Sequence, residues 1–354
     1  MHTSDVVIAG AGIIGLSIGI ELRKAGATVA VLDRGEPGRE ASSAAAGMLV
    51  TGDPDLGTPM RALAEASAAL YPSFVEELEL RSGLRTDLEA RGALYVAAES
   101  ERLDSSALSP AELAEQEPDL AQHPRVHFLT EQSVDPALLT RAAIEAARRL
   151  GVTVHHEAAV QDVSLTDEHL IQVRTPRTSY RTATLVNCAG AWANQIAGAA
   201  APARPRKGQM LSVVPRDCKL RHVIRSRDVY LVPRKDGRII IGATVEDCGF
   251  DKTVDSSRIQ RLHQAAANLV PAIGEAKILD AWAGLRPGSP DDLPIMGVGR
   301  LPGTYVATGH FRNGILLAPI TAALMAELIQ GKNPRLDLRA FSPSRFAAAP
   351  ALAG

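Results

Sequence analysis

Gly10-Ala11-Gly12-Ile13-Ile14-Gly15 has the residue types and spacing that let a backbone turn hold a pyrophosphate. The first glycine permits a tight turn, and the second lets backbone approach the phosphates. The third allows close packing of a helix whose N-terminus faces the negative charge. Asp33 lies eighteen residues beyond Gly15, at the end of the next apolar run, where its carboxylate can accept hydrogen bonds from a ribose. Together these residues predict a dinucleotide site without deciding between a nicotinamide and a flavin. Arg286 is the second chemical signal. A single arginine between Leu285 and Pro287, directly after an apolar strand-like run, is poorly explained as a solvated surface charge.

Other groupings imitate sites without completing them. Gly15-Leu16-Ser17-Ile18-Gly19 matches a nucleophile elbow, but Ser17 falls inside the helix that the glycine turn opens. His155-His156 has no spaced carboxylate or third histidine, and Asp291-Asp292 before Leu293-Pro294 reads as a turn, so no metal site is predicted. Cys188, Cys218 and Cys248 are thirty residues apart with no C-x-x-C pair, which fits neither a disulfide framework nor zinc and points to a reducing cytoplasm.

The glycine turn needs a strand before it and a helix after it. Residues 5–9 are a short apolar run, residues 16–24 follow at helical spacing up to Gly26, and residues 28–33 are apolar again. This βαβ unit predicts a parallel, doubly wound sheet. A helix is predicted over 138–150, entered through Asp135-Pro136 and closed by Gly151. A strand follows at 152–154, another at 184–190, and a long helix over 315–329 opens at Gly314. Ser109-Pro110-Ala111-Glu112 is a capping box with proline at the first helical position.

Residues 92–98, 209–214, 229–233, 238–244 and 278–283 have strand character, with Lys235-Asp236-Gly237 as a turn, and predict one antiparallel sheet. The Ala/Pro-rich stretch 198–205 reads as a crossing between regions, and the residues after Phe341 as a poorly ordered tail. The expected fold class is α/β with an α+β second domain. A Rossmann-like, cofactor-binding parallel sheet (1–84, 138–203 and 290–354) is interleaved with an antiparallel-sheet substrate domain (85–137 and 204–289).

The 354 residues suit about two domains at roughly 150 residues each. Hydrophobic residues at 46% and charged residues at 22% exclude a disordered or fibrous chain. With 38 basic and 40 acidic residues the net charge is −2, so no nucleic acid or anionic membrane is expected as a partner. The longest apolar span, 314–329, contains Pro319 and Glu327 and falls short of the ~20 residues of a membrane helix. The first apolar run is broken by glycines and lacks a basic lead, unlike a secretory signal.

Two further segments select the flavin. Residues 185–192 and 304–314 resemble the later flavin-contacting segments of FAD-dependent oxidoreductases. Amides at the start of the helix after Gly314 would stabilise negative charge that gathers on a flavin as it is reduced. Ser43-Ala44-Ala45-Ala46-Gly47-Met48, Val229-Tyr230-Leu231-Val232-Pro233-Arg234, Trp282-Ala283-Gly284-Leu285-Arg286-Pro287-Gly288 and the stretch from Gly309 to Pro319 are rich in uncommon choices. On these the chain resembles, over nearly its whole length, the D-amino-acid-oxidase family of FAD enzymes, and within it the glycine oxidases of thiamin biosynthesis.

The resemblance implies that Arg286 grips a substrate carboxylate through its planar fork, which a lysine could not reproduce. Tyr230 would hydrogen-bond the same carboxylate and Arg312 would add a second arginine at the pocket mouth. Met48 would shape the pocket beside the ring, with Val245 as a further wall. FAD contacts are implied for Gly10, Gly12, Ile13, Ile14, Gly15, Asp33, Arg34, Ser42, Ser43, Ala46, Gly47, Met48, Val160, Ala189, Gly190, Trp192, His310, Arg312, Asn313, Gly314 and Ile315. Val160 would use its backbone near the adenine, and His310 its backbone beside the ring rather than act as a base. Gly284 stands where related sarcosine oxidases attach FAD through cysteine, so noncovalent FAD is expected.

The implied reaction is oxidative deamination of glycine and other small amines or amino acids, such as sarcosine, D-alanine and D-proline. Hydride would pass from the α-carbon to flavin N5. The imine would hydrolyse to the 2-oxo acid and ammonia or be captured by thiazole synthesis, and oxygen would become hydrogen peroxide. A homo-oligomer is expected. There are two alternatives: a D-amino-acid dehydrogenase of the same fold passing electrons to a quinone and, from another class, a flavin-binding protein without turnover. Preference among substrates is not legible here, since one methyl group changes discrimination by only ~1–3 kcal/mol.

Overall fold

The computed structural model describes residues 1–52, 57–101, 106–120, 122–216, 218 and 220–346. Its first large sheet has six strands in the order Ile295–Val298, Thr304–Thr308, Thr184–Asn187, Val6–Ala9, Val29–Leu32 and Thr153–His155. Neighbours are parallel except at the edge, where Ile295–Val298 runs antiparallel.

Alternation along each strand buries both faces. Val6, Ile8, Val29 and Val31 face a layer that includes the helices Ile13–Lys24, Thr58–Ser82, Pro136–Arg149 and Ala318–Ile329. Val7, Ala9, Ala30 and Leu32 face a small sheet of His2–Thr3, Ser179–Thr182, Ile171–Arg174 and Asp162–Leu165. Burial on both sides is why the central strands read as unbroken apolar runs.

The second large sheet orders its strands Ile278–Gly288, Arg204–Val213, Ile239–Gly242, Tyr230–Pro233, Val223–Arg225, Ala93–Val96 and Val126–Leu129. Leu211, Val213, Leu231, Ile239 and Ile241 pack with Ile259, Leu262 and Ala266 of the helix Ser256–Leu269. Met210, Tyr230, Val232 and Ile240 gather instead with Ala46 and Met48, which come from the segment leaving the first sheet. Period-two alternation thus gives this sheet one face for its own core and one for the cavity described below.

Several expectations change. The second sheet is not wholly antiparallel, because Val223–Arg225 runs parallel to Ala93–Val96. Its strand expected at 278–283 continues through Arg286 to Gly288; the strand lies at the sheet edge, where Pro287 removes no needed ladder donor. The last long helix begins at Ala318, not residue 315. Pro319 is tolerated in a first helical turn, whereas in a helix begun at 315 its ring would meet the carbonyl of the preceding turn. Ser67 and Tyr71 hydroxyls donate to the Leu316 and Ile315 carbonyls, which fixes the turns before that helix.

The chain after Phe341 is ordered as far as residue 346. Pro343–Phe346 forms a 3-10 turn, and Arg345 pairs with Asp291 at 2.8 Å and donates to the Leu293 carbonyl. Residues 347–354 lie outside the described part. The capping box is complete: Ser109 Oγ accepts from the Glu112 amide, and Glu112 Oε2 accepts from the Ser109 amide. Ser17 is buried within its helix, His155 ends its strand, and Asp291 caps a turn by accepting from the Leu293 amide.

Candidate active site

A cavity of about 930 Å³ opens where the C-terminal ends of the parallel strands meet the second sheet. Gly10 has φ +108°, and a Cβ there would lie 2.3 Å from the Cys188 carbonyl oxygen. The amides of Gly12 and Ile14 border the cavity and have no acceptor among the described hydrogen bonds, while Ser42 Oγ accepts from the Ile13 amide at 3.0 Å. A Cβ on Gly12 would close on Ser42 Oγ at 3.1 Å. Free amides at a helix start, with no side chain in the way, suit a pyrophosphate.

Asp33 ties this turn to the next strand. Its Oδ2 accepts from the Ala11 amide at 2.7 Å and its Oδ1 from the Gly35 amide at 2.9 Å, while the residue borders the cavity. Burial raises its pKa and those amide bonds oppose the rise. Arg34 lies over the Trp192 ring, 4.4 Å from the centroid, and both border the cavity with Val160, Ala189 and Gly190. Ile13, Ala46, Gly47, Met48, Asn313, Gly314 and Ile315 continue the wall. These residues fit the dinucleotide and ring system of FAD.

Two expected contacts stand off the wall. A Cβ on Gly15 would strike the Gly10 carbonyl oxygen, so Gly15 serves helix packing on the turn. The Ser43 hydroxyl is bonded to the Gly38 carbonyl and not to the cavity. His310 borders the cavity, but its Nε2 is paired with Thr321 Oγ1 at 3.1 Å, and burial pushes its pKa down to about 3. Its ring is therefore neutral at physiological pH. Val245, expected as a wall, is 46% exposed and lies off the cavity, because the chain has left its strand at Gly242.

At the opposite end the edge strand presents Arg286. Its Nη1 donates to the Thr244 carbonyl at 3.0 Å, and a Cβ on Gly208 would sit 2.0 Å from that nitrogen. Tyr230 is its neighbour; the phenol donates to Met210 Sδ at 3.7 Å and lies where a Cβ on Gly242 would be 2.5 Å away. Burial lowers the Arg286 pKa, the Tyr230 hydroxyl counters this, and the Arg312 charge adds to it. Burial raises the Tyr230 phenol, with Arg286 and Arg312 pulling the other way.

Among the described ion pairs neither Arg286 nor the exposed Arg312 has a carboxylate partner, whereas Arg225 on the same wall is neutralised by Glu131 at 2.6 Å. Uncompensated positive charge at the end of a cavity suits a carboxylate ligand. Gly208 and Gly242 are the positions where Arg286 and Tyr230 lie against backbone, and neither was singled out from the sequence. A glycine inside a strand marks close approach of another group, so a signal existed. Thr244 had none, since it acts through its carbonyl. Gly284 borders the cavity and offers no side chain for a covalent bond; a Cβ there would lie 2.7 Å from Ala44 Cβ.

The family model described as FAD dependent oxidoreductase (DAO) matches residues 5–328. The chain is 37% identical to the bifunctional protein ThiO/ThiG of Trichormus variabilis over 97% of its own length, and spans 55% of that relative. It is 33% identical to the glycine oxidase of Geobacillus kaustophilus, with 97% of both chains covered. The crystal structure of glycine oxidase from Geobacillus kaustophilus aligns with a TM-score of 0.92 at 32% identity, covering 98% of this chain and 100% of the other. Agreement over this length, on a chain whose strand ends build a dinucleotide cradle, shows that the protein belongs to the DAO family of FAD-dependent oxidoreductases.

Proposed function

We propose that the protein is an oxidase that deaminates glycine and other small amino acids or amines, including sarcosine, D-alanine and D-proline. The observation that carries this reading is Arg286, a half-buried guanidinium on the cavity wall beside the Tyr230 hydroxyl, with no carboxylate partner among the described residues. Bound FAD would supply the redox chemistry, taking a hydride from substrate and passing electrons to oxygen. The residues placed to hold it are the Gly10–Ile14 turn, Asp33, Arg34, Ser42, the 46–48 segment, Val160, Ala189, Gly190, Trp192 and residues 310–315.

The chain's own contribution is alignment and field. Arg286 and Tyr230 would take the two carboxylate oxygens, leaving the amine and α-carbon directed along the cavity. Arg312 at the mouth adds attraction for an anionic group. His310 is neutral and committed to Thr321, so its ring provides no base to the α-carbon, and removal of a hydride needs none.

The six-stranded sheet falls wholly within 1–84, 138–203 and 290–354, and the seven-stranded sheet within 85–137 and 204–289, which supports a cofactor domain and a substrate domain with those limits. Similarity to part of ThiO/ThiG and to glycine oxidase supports glycine as substrate and delivery of its imine to thiazole synthesis. Three unpaired thiols suit the cytoplasm, and no described helix is long and apolar enough to cross a membrane. Exposed Ile278 and Leu279 on the open edge strand, with exposed Val214 after the strand beside it, supply apolar surface for a homo-oligomer.

Oxygen consumption against a panel of small amino acids and N-methyl amines, with peroxide and ammonia assayed together, tests the reading. Glycine is expected to yield both products in equal amounts. Poor oxygen uptake beside brisk reduction of artificial acceptors would make the protein a dehydrogenase, and no turnover would make it a flavin-binding protein.

A further inference from the structure

Arg234 ends the motif that contains Tyr230, yet it lies outside the cavity. It follows the strand Tyr230–Pro233, four residues after Tyr230, and its side chain is 9% exposed. The guanidinium spans three groups. Nη2 donates to the Ala46 carbonyl at 2.6 Å, Nη1 to the Val134 carbonyl at 3.3 Å, and Nε lies 3.6 Å from Asp135 Oδ2. Burying a cation is costly unless its donors are used, and here they are spent on the Asp135 carboxylate and on two carbonyls, of which that of Ala46 borders the cofactor cavity.

The neighbouring geometry is tight. Gly47 has φ +79°, a Cβ there would lie 2.0 Å from the Val134 carbonyl oxygen, and its own carbonyl accepts from the Val134 amide at 2.9 Å. A trans peptide carries its N–H on the edge opposite its C=O. With the Ala46 carbonyl turned to Arg234, the Gly47 N–H is directed the other way. Gly47 borders the cavity, and that N–H has no acceptor among the described hydrogen bonds. A cation on a peptide carbonyl polarises the attached N–H and strengthens it as a donor.

We propose that Arg234 is a positioning residue that acts on the flavin from outside the cavity, fixing and polarising the Ala46–Gly47 peptide so that the Gly47 N–H favours the more negative, reduced cofactor. This rests on the reading that the 46–48 segment borders the flavin. It also makes one strand and the residue that follows it serve both halves of the site, with Tyr230 toward substrate and Arg234 toward the cofactor segment.

The test is FAD titration of the apoproteins by fluorescence quenching, together with the midpoint potential of each holoprotein, for wild type, Arg234→Met and Arg234→Lys. Arg234→Met is expected to bind FAD about tenfold more weakly. It should also lose about tenfold of its preference for reduced over oxidised flavin, or about 30 mV for a two-electron couple. Arg234→Lys keeps charge but not the fork and should fall between, and it carries the test if the methionine variant does not fold. Weaker FAD binding with an unchanged potential would reduce Arg234 to a structural brace and overturn the proposal. A wild-type protein that takes up no FAD would instead remove the site reading beneath it.

Discussion

Arg286 gives hydrogen bonds to the Thr244 carbonyl and to the Tyr230 hydroxyl, which leaves other donors of its five-donor fork for a ligand. Arg286→Ala is expected to raise the glycine KM by ~10–100-fold while FAD stays bound, from the ~1.5–3 kcal/mol of a hydrogen bond to a charged group. Steady-state kinetics with the flavin spectrum as control checks this, and an unchanged KM would remove the carboxylate assignment. Gly208→Ala should move KM in the same direction, because its Cβ would occupy space now held by Arg286 Nη1.

His310 gives a pH signature. Its folded pKa, about 3, lies below the ordinary histidine value, so the unfolded chain binds the extra proton first as pH falls. The associated stability is fully present above ~6.5 and is lost progressively toward pH 3, at up to ~1.4 kcal/mol per pH unit. Denaturant unfolding of His310→Gln should therefore depend less on pH between 6 and 4 than that of the wild type. At this scale Arg286 and the glycine turn were legible because their types are rarely placed so without cause. The Thr244 carbonyl was not, since backbone roles leave no mark on residue type.

Elements position these groups by alternation and by turns that only certain residues allow. Gly47 is the sharpest case: its positive φ and contact with Val134 leave no room for a side chain. Gly47→Ala is expected to release FAD and lower the thermal midpoint, and full FAD occupancy at the wild-type midpoint would contradict the described turn. By contrast, Ser109→Ala removes a complete capping box remote from the cavity, and should lower stability by ~1 kcal/mol without altering KM.

The βαβ unit was readable from its apolar runs. The helix Thr58–Ser82 was not, because Pro72 lies within it and signals a break in any local reading; its packing, with Tyr71 and Ser67 turned to the Ile315 and Leu316 carbonyls, is tertiary. The strands Asp162–Leu165, Ile171–Arg174 and Ser179–Thr182 are short and half polar, with too few residues to show a period.

At the scale of the whole molecule the cavity lies between the strand ends of a first sheet buried on both faces and the free face of a second sheet that buries its other face in its own core. Neither sheet alone holds both the phosphate cradle and Arg286. Ligand that binds only the folded chain must therefore stabilise it, by ~2.7 kcal/mol at a hundredfold excess over Kd. Apoprotein should melt below holoprotein, and denaturation should release free FAD, since Gly284 carries no thiol. Yellow colour remaining on precipitated chain would contradict this.

The most direct measurement of the central claim is anaerobic mixing of the yellow holoprotein with glycine and, separately, with methylamine, which lacks the carboxylate. Bleaching of the flavin by glycine at concentrations where methylamine leaves it oxidised is the expected result. A flavin that stays oxidised with every small amino acid, or bleaches equally with methylamine, would contradict it.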